Sequence, residues 1–243
     1  MPRFFLSGGS TIAGGTALIL GEDAAHAKVL RLRVGDRLIV CDGGKDHHCT
    51  VTRITPDEVE AEIFETVPCQ SEPDVKVSIL AALPKGDKTD YIIQKCTEAG
   101  ASEILFFPSQ RCVAKISGDP EKKVTRWQRI AEEAAKQSGR GIIPRVGLLG
   151  DIAEAFNKAK ETDLPLFMYE TGNRVTLKEA VEQKTGITSA AIITGPEGGF
   201  EPFEAQLAEI MELTLCSMGP RIFRCETAPV AALSAIMYAT GNM

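Results

Sequence analysis

The chain has 243 residues, too many for one average domain and few for three, so one large or two modest domains are expected. Hydrophobic residues make up 44% and charged residues 25%, which suits a packed core under a solvated surface and excludes a disordered chain. With 27 Lys and Arg against 33 Asp and Glu the net charge is −6, which argues against coating nucleic acid by bulk charge, and no apolar run approaches the roughly 18 residues of a membrane span.

Residues 1–9 hold no apolar stretch of signal-peptide length, so a cytoplasmic location is expected. The 7 cysteines are scattered, with no Cys-x-x-Cys pair, which argues against a disulfide framework and a structural zinc site. His47 and His48 are adjacent and would point to opposite faces of a strand, so no metal is expected.

Along the chain, residues 22–30 suggest a short helix with Ala24, Ala25 and Val29 on its apolar side. Residues 37–42, 49–54 and 59–64 alternate or run apolar, with Asp42-Gly43-Gly44 as a turn, and predict strands of a small β-barrel. Residues 68–73, polar and bracketed by prolines, predict a linker between a first domain at 1–70 and a second at 74–243.

Beyond it the period changes. Strands are expected at 75–81 and 104–107 around a helix at 88–99 that stops at Gly100. Asp119 and Pro120 fit the N-cap and first position of a long helix, with Val124, Trp127, Ile130, Ala131 and Ala134 at helical spacing and Gly139 ending it. Three more strand–helix pairs follow: 164–169 with 177–184, 190–194 with 201–213, and 214–217 with 226–240. This alternation predicts an α/β domain with a mostly parallel sheet covered on both faces.

Two loops in that domain can carry chemistry. Thr194-Gly195-Pro196-Glu197-Gly198-Gly199 follows a buried strand, where glycines let backbone approach a ligand at the carboxyl end of the sheet. It matches neither phosphate-binding glycine pattern, and Glu197 suits a neutral or cationic ligand better than a phosphate. The second loop, Met218-Gly219-Pro220-Arg221-Ile222-Phe223-Arg224-Cys225-Glu226-Thr227-Ala228, brings two arginines and a glutamate to the start of the last helix, with Thr227 as a plausible N-cap. Either the arginines and carboxylate form an ion-pair network, or Arg221 or Arg224 grips RNA phosphate or orients a base. A basic set, Arg3, Lys28, Arg31 and Arg33 in the first domain with Lys85, Lys88, Lys95, Arg111, Lys136 and Arg140 in the second, is either solvated surface or an RNA path.

The pair Gly195–Gly199 and Gly219–Ala228 resembles the cofactor loops of the ribosomal RNA small subunit methyltransferase E family, within the SPOUT superfamily. Pro2-Arg3-Phe4-Phe5, His26-Ala27-Lys28-Val29-Leu30-Arg31, Lys95 with Glu98 and Gly100, Arg111-Cys112, Trp127 and Gln137-Ser138-Gly139-Arg140 extend the similarity over nearly the whole chain. Phe223, Cys225, Ala99 and Pro229 depart from the usual pattern without removing a charged group or a loop glycine.

The resemblance implies a PUA-like RNA-binding β-barrel, then an α/β methyltransferase domain with a trefoil knot, working as a homodimer on 16S rRNA or the small ribosomal subunit. It implies transfer of a methyl group from S-adenosylmethionine to N3 of a uridine, a position that must be unpaired to be reached. Cofactor contacts carry over to Met168, Thr194, Gly195, Pro196, Glu197, Gly198, Gly199, Ser217, Met218, Gly219, Ile222, Phe223, Arg224, Thr227 and Ala228. Arg224 and Arg221 are expected to stabilise the uracil anion, and Glu226 to accept the proton, with Glu197 and Glu170 as rivals. Arg3, Lys28, Arg31, Lys85, Arg111 and Arg140 are expected to hold RNA. Alternatives are methylation of a ribose 2′-oxygen or another base, a non-catalytic RNA-binding adapter, and a dinucleotide-dependent enzyme.

Overall fold

A computed structural model describes residues 1–6, 9–114, 118–172 and 174–243. They form two compact units, Met1–Glu72 with Ala135–Ile142, and Pro73–Ala134 with Ile143–Met243.

The first unit contains β1 (Arg3–Phe5), β2 (Thr11–Ala13), β3 (Thr16–Leu20), α1 (Gly21–Val29), β4 (Arg37–Asp42), β5 (Lys45–Ile54) and β6 (Glu58–Pro68). They hydrogen-bond in one sheet in the order β1-β4-β5-β6-β3-β2. Among the described residues β1 and β4 run parallel and the other pairs antiparallel. Alternation along the strands turns Phe4, Ile19, Leu38, Val40, Val51 and Val59 onto one core, closed by Ala24 and Ala27 of α1. Each large side chain so buried contributes about 1.5–3 kcal/mol. His47 and His48 lie inside β5; His47 is buried with Nδ1 2.9 Å from Thr66 Oγ1.

Residues 135–142 join this unit through Glu72. Its carboxylate accepts from Arg140 Nε and Nη2 at 3.2 and 2.7 Å and from the Gly141 and Ile142 N–H groups at 2.8 and 3.0 Å. The end of α1 is unusual. Arg31 N–H donates to the Lys28 carbonyl and Leu32 N–H to the Ala27 carbonyl, a double closure that places Arg31 at φ 57°. Glycine is the ordinary occupant there; an arginine carries about 1 kcal/mol of left-handed strain.

The second unit holds β7 (Lys76–Ala82), α2 (Lys88–Glu98), β8 (Glu103–Phe107), most of α3 (Pro120–Ser138), β9 (Arg145–Leu148), α4 (Ile152–Lys160), β10 (Leu164–Met168), β11 (Val175–Thr176), α5 (Leu177–Glu182), β12 (Ser189–Thr194), α6 (Pro202–Ile210), β13 (Thr214–Ser217) and α7 (Thr227–Ala239). Its seven strands pair in the order β11-β13-β10-β12-β7-β8-β9, all parallel.

Both sheet faces are covered, so the strands read as continuous apolar runs. Val77, Ile79, Ala190 and Ile192 face the core made with α2, α3, α5 and α7. Leu80, Ala82, Ala191 and Ile193 face the one made with α4 and α6. Asp119 Oδ1 accepts from Glu121 N–H at 3.0 Å and starts α3 as expected. Thr227 is the first residue of α7, which leaves Glu226 at the N-cap and Pro229 in the first turn, where its missing N–H costs nothing. Among the described residues no helix is long and apolar enough to cross a membrane.

Chain order in this sheet reverses between β7 and β12. On one side β8 and β9 follow outward; on the other stand β12, β10, β13 and β11. Ligands of open parallel sheets bind outside the strands' carboxyl ends near such a reversal.

Candidate functional site

A cleft of about 500 Å³ opens there, at the ends of β10, β12 and β13. Met168, Thr194 and Ser217, the last residues of those strands, form part of its wall. Gly195, Pro196, Glu197 and Gly199 come from the first loop, and Met218, Gly219, Arg221, Ile222, Phe223, Arg224 and Ala228 from the second. The two glycine loops thus converge on one cavity. Gly198, Glu226 and Thr227 do not line it, and Tyr169, Glu170, Thr171, Arg174 and Phe200 do. The segment after β10 was legible in principle, since it leaves the sheet at the same edge.

The first loop is a tight turn, closed by Gly199 N–H donating to the Pro196 carbonyl at 2.9 Å. Gly199 sits at φ 67°, and a Cβ on it would lie 3.0 Å from Glu170 Oε1. A Cβ on Gly195 would meet the Gly199 Cα and carbonyl carbon at 3.3 Å. The turn is therefore bare backbone on both sides. Thr194 Oγ1 is buried at the cleft wall with no hydrogen-bond partner among the described residues. A bare turn beside an unpaired hydroxyl, with Met168, Met218, Phe223 and Ala228 as apolar wall, fits a ligand that is part nucleoside and part polar.

Both carboxylates of the loops are paired with Lys88. Glu197 Oε1 accepts from Lys85 N–H and Lys88 Nζ, both at 3.0 Å. Burial works to raise the Glu197 pKa, but the Lys85 N–H and Lys88 outweigh it and hold the carboxyl at about 2. Lys88 Nζ also lies 3.1 Å from Glu226 Oε2. Burial opposes ionisation of Glu226 as well, yet hydrogen bonds to its carboxylate, from Cys225 and Lys88 among others, lower its pKa. Burial pushes the Cys225 thiol up to about 12. On the other side Arg111 donates to the Gly198 carbonyl at 2.9 Å and to both oxygens of Glu201 at 2.8 and 3.0 Å.

The basic residues expected to hold RNA therefore divide. Arg3 makes two bonds to Asp46, at 2.6 and 2.8 Å, and Arg140 is 3% exposed against Glu72. Arg111 braces the first loop. Lys28, Arg31, Arg221 and Arg224 are exposed and have no ion-pair partner among the described residues. Arg3 and Arg140 could not be told apart from these by sequence, because Asp46 and Glu72 reach them only through the fold. Among the described residues no cluster of three or more His, Cys, Asp or Glu is placed to hold a metal.

The family described as RNA methyltransferase domain matches residues 71–237, and the one described as RNA methyltransferase PUA domain matches residues 19–64. Ribosomal RNA small subunit methyltransferase E of Bacillus subtilis (strain 168) is 35% identical over 232 residues, covering 93% of this chain and 91% of the relative. The chain belongs to the ribosomal RNA small subunit methyltransferase E family. A second member, from Mesomycoplasma hyopneumoniae (strain 232), is 32% identical over 210 residues, with 86% of this chain and 88% of the relative covered. The crystal structure of the Neisseria gonorrhoeae methyltransferase E bound to S-adenosyl methionine is 30% identical, with TM-score 0.84 over 98% of this chain and 97% of that one. Within the family frame this chain is a mixed α/β protein with a PUA-like domain and a methyltransferase domain built on a parallel sheet.

Proposed function

We propose that this chain transfers a methyl group from S-adenosylmethionine to N3 of a uridine in the 16S rRNA of the small ribosomal subunit. The observation that carries the reading is the convergence of the two glycine loops on one cleft at the ends of β10, β12 and β13, in a member of this family. When bound, S-adenosylmethionine supplies a methyl carbon activated by its sulfonium. Met168, Thr194, Gly195, Gly199, Ser217, Met218 and Ala228 would hold it. Arg221 and Arg224 line the cleft, exposed and with no ion-pair partner among the described residues, suited to the charge that appears on the uracil oxygens when N3 loses its proton.

Glu226 and Glu197 are tied to Lys88, which keeps them charged and weakly basic. Glu170 is exposed on the cleft wall with no ion-pair partner among the described residues, so the proton is assigned to it in place of Glu226.

Residues 1–70 are read as a PUA-like barrel and 74–243 as a trefoil-knotted domain. The protein is read as a cytoplasmic homodimer. Support for the dimer is the family resemblance alone. Lys28 and Arg31 would contact RNA backbone. Arg31→Gly should then relieve strain and raise stability by about 0.5–1 kcal/mol while weakening RNA binding. Thermal melts and a filter-binding titration check the two halves, and unchanged RNA affinity would remove Arg31 from the interface.

The overall test joins calorimetric titration with S-adenosylmethionine to mass spectrometry of 16S rRNA from cells lacking the gene. Binding and loss of one N3-methyluridine are expected. A methyl group missing from a ribose instead would replace this reading.

A further inference from the structure

We propose that Lys88 is a positioning residue that clamps the two cofactor loops together, a role that rests on the donor-binding reading above. Lys88 opens α2, yet its Nζ lies 3.0 Å from Glu197 Oε1 in the first loop. It lies 3.1 Å from Glu226 Oε2 and 3.5 Å from Cys225 Sγ in the second. An ammonium has three donors, and three acceptors on two loops occupy them. None is left for an RNA phosphate. The Lys85 N–H, three residues earlier, adds a backbone bond to the same Glu197 oxygen at 3.0 Å.

Geometry makes this more than a surface ion pair. The loops leave the sheet from β12 and β13, which are not neighbours; β10 stands between them. No strand pairing holds the two loops in register, so a contact beyond the sheet edge must do it. Without the ammonium, Glu197 and Glu226 would face each other as like charges beside a partly buried thiol. The side chain of Lys88 is 26% exposed, and those of Glu197 and Glu226 are 28% and 20% exposed, sheltered enough to resist screening by salt. The Glu197 carboxyl, held at about 2, stays charged across the neutral range, so the clamp does not open with ordinary changes of pH. Arg111 holds the Gly198 carbonyl from the other side but reaches only the first loop. Lys88 alone among the described residues joins both.

Amide exchange of residues 195–199 and 219–228 in the unliganded protein, with calorimetric titration of S-adenosylmethionine, tests this on wild type, Lys88→Met, Lys88→Arg and the triple change Lys88→Met, Glu197→Gln, Glu226→Gln. In Lys88→Met both segments should exchange about tenfold faster and the donor bind about tenfold more weakly. Lys88→Arg should recover most of the loss, and the triple change part of it, because the opposed charges are gone. A cavity or a general loss of stability would not respond to neutralising two carboxylates. Unchanged exchange and affinity in Lys88→Met would overturn the clamp. Faster exchange in Lys88→Met with no donor binding by any chain, wild type included, would keep the clamp and remove the donor reading. Should Lys88→Met not fold, Glu226→Gln takes its place, with faster exchange in 219–228 expected and none overturning the proposal.

Discussion

Arg224→Ala should lower the methylation rate about 100-fold, the usual effect of removing one donor to a developing anion. Arg224 is exposed at the cleft rim and has no ion-pair partner among the described residues, so its loss leaves no buried charge behind and the fold should persist. Steady-state methylation of small-subunit RNA, run beside a donor titration, measures it. Rate and affinity both at the wild-type level would remove Arg224 from the site. Glu170→Gln, in the same assay, should lower the rate about tenfold or more and recover part of it as pH rises and N3 ionises without help. A wild-type pH–rate profile in that variant would return the proton to another group.

Trp127→Ala should destabilise the protein by about 3–5 kcal/mol. Trp127 is fully buried in the core between α3 and the sheet, its ring 4.9 Å from that of Phe106, with Lys123 Nζ 5.7 Å from its centroid. Its indole N–H has no hydrogen-bond partner among the described residues. An unpaired buried N–H costs free energy, so Trp127→Phe, which removes it with part of the volume, should cost only about 1–2 kcal/mol. Urea denaturation followed by circular dichroism separates the two; fluorescence cannot, because this is the one tryptophan of the chain. Equal losses would mean that the ring volume kept by phenylalanine contributes nothing, and that what both changes remove decides the site.

Much of the second unit was legible because its strands are buried on both faces and its helices carry apolar residues at helical spacing. Residues 190–194 and the Asp119-Pro120 start of α3 are examples. Shorter elements escaped. Arg3–Phe5, Thr11–Ala13 and Arg145–Leu148 are too brief to show a period, and α4 went unread although Asp151 Oδ1 caps it by accepting from Glu154 N–H at 2.9 Å. The linker expected at 68–73 conceals a longer story, since β6 runs to Pro68 and Glu72 fastens residues 140–142 to the first unit. In the cleft the glycine turns were legible because backbone demands small residues locally. The duties of Lys88 and Arg111 were not, because their partners are Glu226 and Glu201, brought near only by the folded sheet.

The place of β7 inside its sheet, between β8 and β12, governs how the protein is made. On one side Ser78–Ala82 pairs with Glu103–Phe107, made soon after it, but on the other Lys76–Ala81 pairs with Ser189–Thr194, synthesised much later. Until that partner leaves the ribosome, an emerging chain carries an uncovered, strongly apolar strand edge, the kind that adheres to other chains. Closing so long a loop is slow, and the cleft, which needs residues as far as Ala228, can be assembled only at the last stage of folding.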